Sequence, residues 1–276
     1  MTATLGSLAS LHRYPVKSMM GEELNAAHIT QRGLFGDRCY ALCDSETRKV
    51  VSAKNPRKWK NPRKWLNFFS YRAAFTSPPV EGAAMPPVRV ELPDGGFSVS
   101  SNADFAPALS ATLGRPVTLL AVPPQNAQLE EYWPDMEELS NRDIVTDEDM
   151  PPGTFFDLAV LHVLTTATLD RLRELNPGSR FEPRRFRPNL IIDTGGQKGF
   201  VENEWVGKTI AIGSEVRIHV DRPCLRCVMT TLAQGDLPKD SGILKTAAQH
   251  NGVRVGVYAS VIQTGTVRIG DTLTFL

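Results

Sequence analysis

Val216-Arg217-Ile218-His219-Val220, running directly into Asp221-Arg222-Pro223-Cys224-Leu225-Arg226-Cys227-Val228-Met229-Thr230-Thr231, is the stretch on which both the fold and the chemistry turn. Its first five residues alternate apolar and polar, as the two faces of a half-buried strand do. Pro223 has no N–H to give to a neighbouring strand and is expected to end the ladder. That expectation puts both cysteines on a turn or short loop at a strand end, where a rigid scaffold holds reactive groups.

Outward from this stretch the same short apolar rhythm recurs. Strands are expected at 158–164, 188–193, 209–212, 255–262 and 266–276, with short helices at 167–175, capped by Thr165 or Thr166, and at 243–250, closed by Asn251-Gly252. Earlier in the chain, strands are expected at 5–16, 24–30, 39–43, 68–75, 88–92, 97–100 and 115–122. One helix runs to Leu113, capped by Ser101 or Asn102 and closed by Gly114. Many short strands with few helices predict a mainly β fold: a β-barrel core over 155–276, with a smaller α+β domain over 1–122 whose first strand can pair with the barrel instead. Residues 123–154 are rich in proline, acids and asparagine with little periodicity, and are expected to form a linker or an active-site lid.

The 276 residues are 41% hydrophobic and 22% charged, the composition of a globular protein, and 31 basic against 30 acidic side chains leave a net charge of +1. That balance gives no signal for a nucleic-acid partner. No basic leader with a long apolar core and no apolar run of membrane-spanning length is present, so the reading is soluble, cytoplasmic and without a membrane span. Four cysteines, two of them close together, suit a reducing compartment. Lys54-Asn55-Pro56-Arg57-Lys58-Trp59 is followed at once by an identical copy, 60–65. A six-residue tandem duplication is too short for a solenoid and reads as a lengthened surface loop. The competing readings are a basic, aromatic patch for nucleic acid or membrane, and a docking loop for an acidic partner.

Several residues invite a choice between structure and chemistry. Lys17 is a solvated charge or a cation held for an anion. Asp37 and Arg38 can be read as no more than a surface ion pair, and Arg184, Arg185 and Arg187 as a solvated basic edge or a phosphate site. A single Cys-x-x-Cys is a weak signal. Structural zinc needs two more ligands, and Cys39 with Cys43 lies too far off in sequence. Disulfide exchange expects the pair at a helix N-terminus within a βαβ unit. Inert burial and a thiolate ligand for a soft or redox-active metal, supported by the charges of Arg222 and Arg226, remain open on spacing alone.

Taken together, Tyr14-Pro15-Val16-Lys17-Ser18, Gly33-Leu34-Phe35-Gly36-Asp37-Arg38, Phe186-Arg187-Pro188-Asn189, Arg226-Cys227-Val228-Met229-Thr230-Thr231 and Gly265-Thr266-Val267-Arg268-Ile269-Gly270-Asp271 resemble the MOSC (molybdenum cofactor sulfurase C-terminal) family with its N-terminal β domain. The likeness is to the branch that holds the mitochondrial amidoxime-reducing component and its bacterial relatives. It covers nearly the whole chain. The resemblance implies a molybdenum cofactor, Mo-molybdopterin, with the metal held by the pterin dithiolene and by Cys227 as catalytic ligand. It implies that Lys17, Ser18, Arg38, Arg187, Asn189, Arg226 and Tyr258 surround the pterin and its phosphate. Leu225 stands where a relative has serine, so one cofactor hydrogen bond is expected to be missing or to come from backbone.

The activity implied is an oxidoreductase that removes oxygen from small N-hydroxylated substrates: amidoximes, hydroxylamines and N-hydroxy bases. With no fused ferredoxin module and no haem Cys-x-x-Cys-His read in the chain, a separate electron-donor protein is implied. The alternatives are a non-catalytic carrier of the cofactor and cysteine-based sulfur transfer.

Overall fold

Seven strands close on one another. The computed structural model describes residues 4–56, 65, 68–135, 137 and 141–276. In it the closing strands are β1 (Thr4–Arg13), β2 (Leu161–Thr165), β3 (Leu190–Asp193), β4 (Thr209–Ile212), β5 (Val216–Leu225), β6 (Arg254–Gln263) and β7 (Thr272–Phe275). Their order is β3-β2-β6-β5-β4-β7-β1, and β1 returns to β3 to complete the barrel. All neighbours are antiparallel except β2 and β3. That parallel pair needs a crossover, made by the segment holding helices Thr166–Leu175 and Pro183–Phe186. The fold is mainly β, with four helices among the described residues.

The first strand is a barrel strand. Leu11 lies opposite Leu190 of β3, and Gly6 lies opposite Leu273 of β7. Leu8, Leu11, Ile192, Ile210, Ile218, Val257 and Leu273 fill the interior. In β5 the expected alternation holds: Val216, Ile218 and Val220 are buried and Arg217 and His219 are half-exposed. A second core gathers Val16, Met19, Leu42, Phe68, Tyr71, Val90, Phe105 and Leu109, and it also takes Met229 and Leu232 from just beyond the cysteines. The cysteine segment therefore lies at the seam of the two cores.

Pro223 does not end the ladder. The strand continues to Leu225, with Pro223 opposite Val257 and Leu225 opposite Arg254, and the register shifts on either side of the proline. The two irregularities skip Asp221 and Cys224, so the ladder around the proline is already interrupted, the setting in which a strand tolerates a residue without an N–H. Cys224 is consequently a buried strand residue, and only Cys227 lies beyond the strand, heading the single 3₁₀ turn Val228–Thr231.

Three further features depart from the local sequence pattern. Residues 123–154, a segment of little periodicity, contain an antiparallel strand pair, Gln128–Trp133 with Ile144–Asp149. Its period is masked because Glu131, a carboxylate, sits in a buried position beside Leu129 and Tyr132. The final expected strand is two, since Gly265–Arg268 pairs with Ala26–Thr30 and β7 starts only after a turn. The strand expected at 39–43 runs over Ala41–Asp44, so Cys39 precedes it and only Cys43 lies within it. Three helix ends are as expected: Thr165 Oγ1 accepts the Thr168 N–H at 3.1 Å, and Gly114 and Gly252 close their helices in the left-handed conformation, whereas the helix Phe105–Leu113 has Asp104 and not Ser101 or Asn102 as its N-cap. Of the tandem copies, residues 57–64 lie outside the described residues.

Candidate functional site

At the end of the barrel where β5 runs out, loops from both cores enclose a cavity of about 380 Å³. Lys17, Ser18, Arg38, Arg187, Asn189, Arg226, Cys227 and Tyr258, the residues picked out from the sequence, all line it. So do Lys54, Glu131, Asp157 and His162, which the sequence did not single out.

The backbone at this site is unusual. Ser18, Arg38 and Arg187 have φ of +68°, +46° and +55°, a left-handed conformation that non-glycine residues seldom adopt and that surrounding contacts must hold. Those contacts are visible. The Arg187 guanidinium donates to Met19 O at 2.5 Å and lies over the Tyr14 ring. Arg38 pairs with Asp37 and also lies over Tyr14. The Asp37 carboxylate accepts the Tyr14 N–H at 2.7 Å and the Asn189 amide at 3.0 Å.

Asn189 also donates to His12 O at 3.2 Å, and its Oδ1 accepts the His162 N–H at 3.2 Å. Both amide hydrogens are thus committed to the scaffold, and only a lone pair is left for a ligand. Ser18 Oγ accepts the Ala53 N–H at 3.0 Å, which leaves its hydroxyl hydrogen to donate.

A second network crosses the floor. Lys17 donates to Phe155 O at 2.8 Å and to the Asp157 carboxylate. Lys54 pairs with Glu131 at 2.9 Å and stands 3.6 Å from Asp157. Burial works against the Asp157 carboxylate, but Lys17 and Lys54 outweigh it and hold its pKa well below the usual range. Burial lowers the Lys17 pKa, Asp157 opposes it, and the neighbouring charges of Lys54 and Arg38 lower it further.

Residues 153–274 match the family described as the MOSC domain, and residues 5–60 match the MOSC N-terminal beta barrel domain. The chain carries a MOSC domain behind a MOSC N-terminal beta barrel domain. It is 25% identical, over 99% of its length and 83% of the relative's, to Mitochondrial amidoxime-reducing component 1 of Mus musculus. Among solved structures it is similar to the YUAD protein from Bacillus subtilis, with a TM-score of 0.48 and 12% identity over 99% of this chain and 97% of that one. It is also similar to YiiM from Geobacillus stearothermophilus, with a TM-score of 0.32 and 19% identity over 43% and 54% of the two chains. MOSC domains are associated with binding of the molybdenum cofactor.

The residues of this MOSC protein fit such a group. Arg187 is buried and faces the cavity, yet among the described residues it has no carboxylate partner. Burial and then the Arg38 charge pull its pKa down to about 10, against the weaker opposing pull of Asp37 and Asp157, neither of which pairs with it directly. A buried guanidinium without a counter-ion is costly unless an anion joins it, and a phosphate suits its fork. Among the described residues no three His, Cys, Asp or Glu side chains cluster to hold a metal by themselves. A metal at Cys227 would therefore take its remaining donors from the cofactor.

The two thiols of the MOSC domain differ. Cys227 lines the cavity, where burial and then Glu131 push its pKa up to about 12, and a bound metal would displace that proton. Cys224 is fully buried and accepts from the Arg226 guanidinium. Burial alone would raise its pKa, but Arg226 and then His162 bring it below the ordinary value. His162 packs there because β6 bulges at Gly256 (φ +83°), where a Cβ would come within 2.3 Å of the His162 Nε2.

Of the three arginines at 184–187, only Arg187 reaches the cavity. Arg184 pairs with Glu182 and Asp236 at the surface. Arg185 is fully buried and donates to the carbonyls of Arg180, Thr230, Leu232 and Pro238, which fixes the chain beyond Cys227. What hid Lys54, Glu131 and Asp157 is that each is distant in sequence from the cysteines. The available signal was the acidic side chains set among apolar ones in Leu129-Glu130-Glu131-Tyr132 and Phe155-Phe156-Asp157.

Proposed function

We propose that this MOSC protein binds Mo-molybdopterin and acts as an oxidoreductase that removes oxygen from N-hydroxylated compounds such as amidoximes, hydroxylamines and N-hydroxy bases. The observation that carries the reading is the buried Arg187 guanidinium, paired directly with no carboxylate among the described residues, in the same cavity as the Cys227 thiol. The printed name of the mouse relative, an amidoxime-reducing component, points to the same chemistry.

Cys227 would hold the metal through Sγ. Lys17, Ser18, Arg38 and Arg187 would neutralise and hydrogen-bond the phosphate, and Asn189, Arg226 and Tyr258 would meet the pterin. The cofactor supplies two-electron oxygen-transfer chemistry. The chain orients the group, keeps one thiolate on the metal and lets the substrate in past the hairpin of the 123–154 segment, the proposed lid. Each turnover breaks one N–O bond and takes two electrons and two protons, giving the reduced nitrogen compound and water. The electrons come from a separate donor protein, in the cytoplasm.

The test is turnover of benzamidoxime by the holoprotein with reduced methyl viologen as donor. Benzamidine formation that depends on the protein supports the reading. A molybdenum-loaded protein that forms none is a carrier, and the oxidoreductase reading fails.

A further inference from the structure

Two large apolar side chains stand exposed where burial would be expected, and both line the Cys227 cavity: Leu225, 60% exposed, and Leu158, 48% exposed. Scattered exposed leucines need no explanation, but leucines grouped at one concave mouth mark a surface meant to be covered. Val253 lies in the same lining with φ of +59°, a conformation that a β-branched side chain adopts only under constraint. The constraint is local, since Val253 O accepts the Arg226 N–H at 2.8 Å and its own N–H donates to Ala247 O at 3.0 Å. Strain of this kind is held at sites of function more often than elsewhere. Leu158 is fixed as well, its carbonyl accepting from Arg222 at 3.3 Å. The half-buried Trp133 and Glu148 and the exposed Asp149, from the hairpin, complete the same lining.

We propose that Leu225, Leu158 and Val253 form an apolar shelf at the cavity mouth that takes the hydrocarbon or aromatic body of the substrate, with Leu225 as a specificity-determining residue. The inference rests on the reading of the Cys227 cavity as a reductive site. Leu225 directly precedes Arg226-Cys227, so a substrate whose N–O group faces Cys227 lays its body across this side chain. At the mouth, the lining acids Glu148 and Asp149 favour a body that carries a basic nitrogen, and an apolar shelf beside acids selects aromatic N-hydroxy bases over small polar N-hydroxy compounds.

The test compares the holoproteins of wild type, Leu225→Ser, Leu158→Ser and a remote exposed control, Val122→Ser. Two readouts are taken: KM for benzamidoxime and for hydroxylamine with a methyl viologen donor, and calorimetric binding of benzamidine to each protein at matched molybdenum content. Loss of part of the shelf is expected to raise KM for benzamidoxime about five- to tenfold more than KM for hydroxylamine, and to weaken benzamidine binding by a similar factor. Val122→Ser is expected to do neither. Equal shifts for both substrates, or none, overturn the shelf. A mouth that only docks a protein donor leaves both constants unmoved, which also overturns it. If the wild type turns nothing over, the reductive reading has failed, and benzamidine binding then decides the shelf alone: weaker in Leu225→Ser sustains it, while equal or absent binding removes it.

Discussion

The Arg187 guanidinium lies over the ring of Tyr14, 4.1 Å from its centroid, so a buried cation rests on an aromatic face rather than on a carboxylate. The Arg38 guanidinium lies 4.6 Å from the same centroid, and the phenol donates to Pro188 O at 3.1 Å. Burial pushes the Tyr14 pKa up to about 12, which keeps the phenol neutral and able to donate. Tyr14→Phe keeps the ring and loses one buried hydrogen bond, and is expected to cost about 1 kcal/mol. Tyr14→Ala removes the platform under both guanidiniums and leaves a void, expected to cost about 3 to 5 kcal/mol. Urea unfolding of the three proteins separates these outcomes, and equal losses for the two variants would show that the ring does not support the cations.

Asp157 makes stability sensitive to acid. Its pKa is depressed in the folded protein, so the stability it contributes is present above the unfolded carboxylate value of about 3.9 and is lost as pH falls below it towards the folded value. Asp157→Asn is expected to lower the melting temperature near neutral pH, because Lys17 and Lys54 lose a shared partner. It is also expected to flatten the fall in melting temperature across the acid range. Melting curves taken at a series of pH values check both, and an unchanged acid slope would remove Asp157 from the account.

The tandem copies divide their work. Lys54 of the first copy enters the cavity wall and Trp65 of the second packs on Phe68, with ring centroids 5.7 Å apart. Pro56 and Trp65 are joined by a β-bridge, so their backbones already meet. That bridge is parallel, and deleting 57–62 restores a single Lys-Asn-Pro-Arg-Lys-Trp in which two residues separate Pro56 from Trp65, too few to keep a parallel pairing, so the deletion gives up this one isolated bridge. The deletion is expected to shift the melting temperature by no more than about 3 °C, since closure entropy changes slowly with loop length. Trp65→Ala is expected to cost about 3 kcal/mol or more. Thermal melts of both variants decide the point, and a deletion that unfolds the protein would show that the extra copy is structural.

The barrel was legible where one face is apolar and the other is not, as in Val216 to Val220. It was misread where backbone irregularity decides the outcome. Pro223 looked like a strand end because composition cannot show a bulge, and Glu131 hid a strand because a carboxylate in a buried position breaks the period until Lys54 is seen beside it. The eight cavity residues named from sequence were reached through family resemblance, since spacing left Cys224 and Cys227 equal. Three-dimensional packing makes them unequal: a strand side chain turned into the core, and a thiol facing the cavity. The floor network of Lys17, Asp157, Lys54 and Glu131 joins separate segments of the chain, and no local pattern reports such a meeting.

The central claim is that Cys227, and not Cys224, carries the metal. Molybdenum analysis of wild type, Cys227→Ala and Cys224→Ala, each purified from a host that makes the cofactor, tests it most directly. The account predicts about one molybdenum per chain in the wild type, retention of most of it in Cys224→Ala, and a loss of at least about tenfold in Cys227→Ala. Molybdenum absent from all three proteins, or retained by Cys227→Ala together with full reductase activity, would contradict it.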